Sequence, residues 1–395
     1  MKDHRHAIGF MSGTSLDGLD AAAIRASGSG PDLEVEILAH VETSFDPEDP
    51  LIRDLRAFAR GESETASRIA EIAHGLGQRH GALAERVAAE AGLDPRRDLD
   101  LVAVHGQTLT HHPPVSWQLV DPWPVTRVVG CPVVCDLRGA DLAAGGRGAP
   151  ITPLADAILM RSHRVEGRTT LVLNLGGFAN ATLLPGLDDE PVGFDCCPCN
   201  HLLDAASLVA LDAPFDRDGV ATASGTCQEH LVAPLVELIS TLARESRSGG
   251  DGDEHADAAR RIATEAREAN HPADALASIA TAIARSIAMI VEQRLQSHRL
   301  PPLGATFIAG GGVRNQGLFD AIAGALGEAS GIEMPPGPIE PSSAAKVPPQ
   351  AREAAAMAIL GLMAADGHSI TTPATTGRRS PGFPVGLWTR FRDQA

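Results

Sequence analysis

Gly9-Phe10-Met11-Ser12-Gly13-Thr14-Ser15-Leu16-Asp17-Gly18-Leu19-Asp20 continues an apolar run that begins at Ala7 and leads into a second one at residues 21–25. Apolar run, glycine-bearing turn, apolar run is the pattern of strand, turn and strand. Gly13 and Gly18 let backbone N–H groups approach phosphate oxygens, Thr14 and Ser15 add hydroxyl donors, and Asp17 and Asp20 suit the water shell of a magnesium ion. The candidate nucleotide-binding segment is the whole turn from Gly13 to Asp20, with Leu16 and Leu19 included. It matches neither GxxxxGK[ST] nor the GxGxxG turn that opens a helix. The expectation is a phosphate-binding hairpin; the plainer alternative is an ordinary β-turn, since Ser, Gly and Asp are common turn residues.

Outward from this stretch, residues 33–39 read as a third strand, and residues 63–91 carry apolar side chains at helical spacing up to Gly92-Leu93-Asp94-Pro95. A buried-type strand at 101–104 ends in His105-Gly106-Gln107-Thr108. The plan then repeats. Residues 170–175 form a β-branched and leucine run, Gly176-Gly177 makes a turn after Asn174, a strand leads away past Asn180 over 181–184, and Val192-Gly193-Phe194-Asp195 precedes a helix from about His201. A third run, Thr306-Phe307-Ile308-Ala309, enters Gly310-Gly311-Gly312, and residues 351–364 read as a helix. Two copies of strand, glycine turn, strand, strand and helix predict a duplicated α/β architecture in two lobes. The expected division is 1–140 with a C-terminal tail 365–395, against 141–364 with a charged, solvated surface insertion near 244–270. The Pro-, Gly- and Arg-rich tail is expected to be irregular.

The 395 residues suffice for two or three domains with ample core. Lys and Arg number 33 against 50 Asp and Glu, a net charge of −17, and no stretch gathers a basic run, so nucleic acid is not an expected partner. The apolar start is too short for a signal segment, and no later run reads as the roughly eighteen residues of a membrane span, so no membrane partner is expected. Six cysteines are too few for a disulfide scaffold, which points to a cytoplasmic protein with reduced thiols.

Met11-Ser12-Gly13-Thr14-Ser15-Leu16-Asp17-Gly18, His105-Gly106-Gln107-Thr108, Gly145-Gly146-Arg147-Gly148-Ala149-Pro150, Asn174-Leu175-Gly176-Gly177-Phe178-Ala179-Asn180, Phe194-Asp195 and Gly310-Gly311-Gly312-Val313-Arg314-Asn315 occur in that order. In these motifs the chain resembles the anhydro-N-acetylmuramic acid kinases over residues 7–365. The resemblance implies a two-lobed actin-like, ribonuclease-H-like duplicated fold with an ATP cleft between the lobes. It implies ATP and Mg2+ as cofactors and a small anhydro amino sugar as partner, with a homodimer left open. The implied reaction is phosphorylation of O6 of 1,6-anhydro-N-acetylmuramic acid while water opens the anhydro bridge, yielding N-acetylmuramic acid 6-phosphate in cell-wall recycling.

By the same resemblance Asp195 matches the general base, and phosphoryl transfer with water as nucleophile needs one such base besides positioning and charge neutralisation. An Asp just ahead of a helix also reads as an N-cap. Asn174, Gly176, Gly177, Asn180, Gly310, Gly311, Gly312 and Asn315 fall to the nucleotide, and His105, Gln107, Asp136, Arg138, Asp141 and Glu353 to the sugar. Loop ion pairs, and for Glu353 an ordinary first-turn acid, are the plainer alternatives. The chain departs from the family at Cys196-Cys197-Pro198-Cys199-Asn200, where Thr-Gly-Pro-Gly-Asn is usual, and lacks a Thr-Gly-Arg-Glu segment after Gly225. Cysteine for glycine is expected to restrict a turn near the phosphates. The alternatives are a kinase for another anhydro sugar such as levoglucosan, or a weakened ATP-binding regulator. Cys196, Cys197, Cys199 and His201 have poor spacing for a thiolate metal site, and inert buried thiols are expected. His111-His112-Pro113-Pro114 reads as a loop after a strand.

Overall fold

The computed structural model describes residues 4–13, 16–244, 252–329, 339–380 and 384–389. Its strands are β1 (Arg5–Met11), β2 (Gly18–Ser27), β3 (Glu34–Ser44), β4 (Leu101–Val104), β5 (Gln107–His112), β6 (Val115–Leu119) and β7 (Val133–Cys135). There follow β8 (Thr169–Leu175), β9 (Phe178–Leu184), β10 (Val192–Pro198), β11 (Leu303–Ala309), β12 (Ile339–Pro341) and β13 (Leu387–Thr389). The chain divides into two units, Met1–Ser162 with Gln350–Ala395, and His163–Pro349.

In the first unit the sheet order is β13-β7-β4-β1-β2-β3. β1 to β3 form an antiparallel meander, and β4 and β7 add on parallel to β1. Every residue of β4 is buried, as a strand covered on both faces requires. Alternation sorts the side chains: Ile8, Phe10, Val102 and Val104 join the core under helix Ala66–Glu90, whereas Ala7, Leu101 and Ala103 face helix Arg352–Ala365. That second helix lies very close to the sheet. A Cβ on Gly9 would fall 2.0 Å from the Ala354 carbonyl oxygen, and one on Gly361 would fall 2.7 Å from Ala103 Cβ. This glycine and alanine seam packs residues 352–365 into the first unit, so the second unit ends at Pro349 rather than at 364, and it begins at His163 rather than at 141.

The second unit has the order β10-β9-β8-β11-β12, again an antiparallel meander with two parallel strands beyond its first member. Leaving aside β13 and the separate β5–β6 hairpin, both sheets follow one path, third-second-first-fourth-fifth. The duplication expected from the sequence is therefore present in the topology. Helix Pro272–Ser297 places Ile279, Ile283 and Ile287 in this unit's core. It is long and apolar enough to cross a membrane, contrary to the expectation of no such run; its apolar side chains are those a central core helix needs.

Other expectations also change. Helix Gly252–Glu268 is not a solvated insertion: Ala259, Ala263 and Ala266, at helical spacing within the charged run, are buried in the core cluster. Residues 245–251 of that expected insertion lie outside the described residues. The tail from 371 holds a helical turn, Pro373–Thr376, and strand β13, which pairs with β7. His111 and His112 belong to β5. Helix Pro50–Ala59 was not foreseen, although Asp49 caps it and Pro50 occupies its first turn, a recognisable start signal.

Candidate active site

Asp195 lies within β10 and not at a strand end before a helix. Helix Asn200–Ala210 starts five residues later behind Cys199, whose side chain makes no capping bond. The first N–H groups there are taken by the glycine turn: Cys199 N donates to Gly177 O at 2.8 Å and Asn200 N to Gly176 O at 3.1 Å. Backbone carbonyls thus do what an N-cap side chain would do, and the capping alternative for Asp195 falls. The register places Asn174 of β8 opposite Asn180 of β9, and Asn180 opposite Asp195 of β10. Directly opposed residues share a sheet face. A polar row therefore crosses three strands, buried at Asn174, half-buried at Asn180 and exposed at Asp195. The ladder shifts between Asp195 and Cys197, a bulge that lets Cys196 and Cys197 both turn into the core beside an outward Asp195.

Two glycine turns meet at the end of β8. Gly310 has φ +86°, and a Cβ there would fall 2.7 Å from Leu175 O and 2.9 Å from Asn174 Oδ1. Asn200 Nδ2 donates to Leu175 O at 3.2 Å, tying the helix start to the same strand end. Asn174 Oδ1 is buried without a hydrogen-bond partner among the described residues, a signature of a group awaiting a ligand or water. The N–H groups of Gly176 and Gly177 have no internal backbone acceptor among the described residues, while their carbonyls face the helix. Gly177 also carries the His201 imidazole, since a Cβ there would fall 2.2 Å from His201 Nε2. Asn315 is used internally: its Oδ1 accepts from Leu318 N at 2.9 Å as the cap of helix Gln316–Ala329, and its Nδ2 donates to Thr222 Oγ1 at 3.3 Å.

In the first unit, Thr14 and Ser15 lie outside the described residues. The flanks of their turn are held by Gln107, whose Oε1 accepts from Ser12 Oγ at 2.6 Å and whose Nε2 donates to Gly13 O at 3.0 Å. Gln107 is 1% exposed, so its amide serves the turn. Leu16 sits at φ +54°, an uncommon conformation for leucine, with its side chain in the core and its carbonyl held by Arg56 at 2.9 Å. Leu19 is likewise a core residue. Gly18 is glycine for a different reason from the one expected: a Cβ would fall 2.3 Å from Thr43 O on β3. Asp17 is exposed on the turn, and Asp20 begins the β2 ladder opposite Met11.

Three of the expected sugar residues, His105, Arg138 and Asp141, are linked to one another directly or through Gly148. His105 Nδ1 bonds to Gly106 O at 2.9 Å, and its Nε2 accepts from Arg138 Nη2 at 2.9 Å. Burial and the adjacent Arg138 push the His105 pKa down to about 3, so the ring stays neutral and can accept. Arg138 Nη1 donates to Gly148 O at 2.7 Å. Asp141 is 4% exposed; its Oδ1 accepts from the Thr371 and Thr376 hydroxyls, each at 2.6 Å, and its Oδ2 from Gly148 N at 2.7 Å. Asp136, at φ +52°, accepts from Gly139 N at 3.0 Å and starts helix Gly139–Ala143. Arg138 and Asp141 thus hold loop 145–150 from both sides. Half-buried Glu353 lies in the first turn of helix Arg352–Ala365. The residue before it, Arg352, is buried in a two-point ion pair with Asp156, with Nε 2.8 Å from Oδ1.

The sequence profile described as anhydro-N-acetylmuramic acid kinase matches residues 5–385. The chain belongs to the anhydro-N-acetylmuramic acid kinase family. A relative of that name from Salinibacter ruber is 34% identical over 98% of this chain and 96% of its own. Another from Synechococcus sp. (strain WH7803) is 35% identical over 94% and 96%. Among solved structures, a ROK family glucokinase from Streptomyces griseus in complex with glucose and AMPPNP aligns with TM-score 0.38 and 15% identity, over 90% of this chain and 99% of that one.

Within this kinase family the cysteine departure has a mild structural consequence. Residues 196–198 are strand, Cys199 has φ −127°, and none of the four has a positive φ, so the backbone does not demand glycine. Burial raises the pKa of all three thiols, that of Cys199 to about 12, and in the thiol form they pack as small apolar groups. Sequence reasoning missed Asn200, Thr371 and Thr376. Asn200 alone had a signal, being the last residue of the family's Asn-ended motif; the two threonines lie in a tail that offers no periodic pattern.

Proposed function

We propose that this chain transfers the γ-phosphoryl group of ATP to O6 of 1,6-anhydro-N-acetylmuramic acid while water opens the anhydro bridge, giving N-acetylmuramic acid 6-phosphate for peptidoglycan recycling. The observation that carries this is the exposed Asp195 carboxylate at the end of the Asn174, Asn180 and Asp195 row, in the unit whose two glycine turns meet at β8. Asp195 takes a proton from water; the water oxygen bonds to C1 as the C1–O6 bond breaks. O6 then bonds to the γ-phosphorus, the bond to the leaving ADP oxygen breaks, and Asp195 later returns its proton to solvent. The N–H groups of Gly176 and Gly177 and the turn 310–312 take phosphate oxygens in the second unit, where Asn174 Oδ1 accepts from a water or hydroxyl, and the turn from Gly13 to Asp20 is the phosphate-binding segment of the first unit. Gln107 acts by holding the turn at Gly13 and Asn315 by capping the helix that follows the turn 310–312, and the His105, Arg138 and Asp141 cluster with Asp136 and Glu353 shapes the sugar site.

Magnesium, when bound, neutralises charge on the phosphate oxygens. Asp17 and Asp20 fit it as hard oxygen donors. No group of three or more such ligands is preformed among the described residues, which suits an ion that keeps several waters and takes phosphate oxygens. All six cysteines are free, in keeping with a cytoplasmic setting. The test is ADP release across a panel of anhydro and free amino sugars and levoglucosan, with mass analysis of the product. The expected product carries a phosphoryl group and the elements of water. ADP release with levoglucosan alone, or ATP binding with no sugar-dependent ADP release, would overturn the proposal in favour of another sugar kinase or a regulator respectively.

A further inference from the structure

Arg147 stands at the middle of loop 145–150, and the loop is fixed from four directions. Gly148 N and O are held by Asp141 and Arg138, Arg147 N donates to Thr376 O at 3.0 Å, and the His111 imidazole of β5 hydrogen-bonds to the Arg147 backbone. Asp141 is buried, and the Thr371 and Thr376 hydroxyls complete its bonds. Burying a carboxylate to order a glycine-rich loop is costly unless each of its bonds is made, and here they are. The long side chain this scaffold presents is that of Arg147, which is exposed and has no hydrogen-bond or carboxylate partner among the described residues. A second exposed arginine, Arg379, donates its backbone N to Ala144 O at 3.0 Å, and its side-chain carbons lie 3.9–4.0 Å from where a Gly145 Cβ would be. In a chain of net charge −17, one arginine on the loop and another on the segment packed against it add positive charge there. Asp141, in helix Gly139–Ala143 ahead of the loop, is buried with both oxygens engaged, so it does not compete for them.

We propose that Arg147 binds the carboxylate of the substrate's lactyl ether, the group that distinguishes a muramic acid from a glucosamine sugar. A guanidinium matches a carboxylate with two parallel N–H donors, and a loop already fixed loses little further freedom on binding. The inference rests on the proposed sugar site. Its test compares 1,6-anhydro-N-acetylmuramic acid with 1,6-anhydro-N-acetylglucosamine, which has no carboxylate, using turnover and the inhibition constant of the second sugar as competitor. Arg147→Gln should raise KM for the acidic sugar about 10- to 100-fold, the range of a hydrogen bond to a charged group. The inhibition constant of the neutral sugar and KM for ATP should stay within about twofold, since the Arg147 side chain supports no other group. An equal loss for both sugars, no loss for either, or an equal effect of Arg379→Gln would overturn the role of Arg147. Those outcomes leave the kinase reading intact; a wild-type enzyme that turns over no anhydro amino sugar would overturn that reading and this inference together.

Discussion

Replacing Asp195 with Asn tests the chemistry most directly. The substitution keeps the shape of the side chain and removes its basicity. Asp195 is exposed on β10, and helix Asn200–Ala210 draws its capping bonds from Gly176 and Gly177, so no cap is lost. An exposed surface group, its charge contacts included, typically contributes at most about 1 kcal/mol, so the melting temperature should move little. A positioned base contributes about 10²- to 10⁴-fold in rate, or roughly 3 to 5 kcal/mol of barrier at about 1.4 kcal/mol per decade. The assay is coupled ADP release with saturating sugar, alongside calorimetric titration of a non-hydrolysable ATP analogue. The expected variant is folded, binds the analogue with wild-type affinity, and is at least about a hundredfold slower. Turnover within a few-fold of wild type would refute the assignment and place the base elsewhere.

Gly176→Ala introduces a Cβ whose nearest neighbour would be Phe178 O at 3.3 Å, a tight contact that a shift of a few tenths of an ångström in the turn relieves, so it should stay folded yet weaken ATP binding about 10-fold or more by crowding the N–H groups; unchanged affinity by titration calorimetry would exclude the turn. Gly177→Val must first displace His201 and should lose stability as well as affinity in a thermal melt. Asp156→Ala leaves Arg352 buried without its partner and should destabilise the protein by about 3 to 5 kcal/mol in a denaturant melt, whereas an apolar pair at both positions should be close to neutral. Acid should also weaken the fold through His105 and His80, whose folded pKa values are depressed to about 3 and about 4 by burial. The folded state holds each ring neutral, so their stabilisation is complete above pH 6.5 and falls as pH drops toward the folded values; each should cost about 2 kcal/mol between pH 7 and pH 5. Denaturant melts across that range should show the slope, and a flat profile would mean that the rings are not buried neutral.

The three glycine turns, the apolar strand β4, the β-branched and leucine run of β8 and the duplicated plan were legible in the sequence, because strand runs and turn chemistry act over a few neighbouring residues. Long-range pairing was not legible. Asp195 read as a strand-end residue because Cys196-Cys197-Pro198 does not look like strand; the β9 ladder and its bulge extend β10 past it and align it with Asn180 and Asn174. Gln107 read as a sugar ligand, but its depth beside Ser12 and Gly13 makes it a clamp on the turn. Alanines 259, 263 and 266 were hidden in a charged run because alanine carries little hydrophobic signal, and only the packed neighbour reveals that they are core. Gly9 gave no hint that Ala354 would sit on it, so the membership of helix Arg352–Ala365 in the first unit came from the tertiary structure. Local propensity sets what each segment can be. Which groups are buried, capped or left facing solvent depends on what the rest of the chain lays against them.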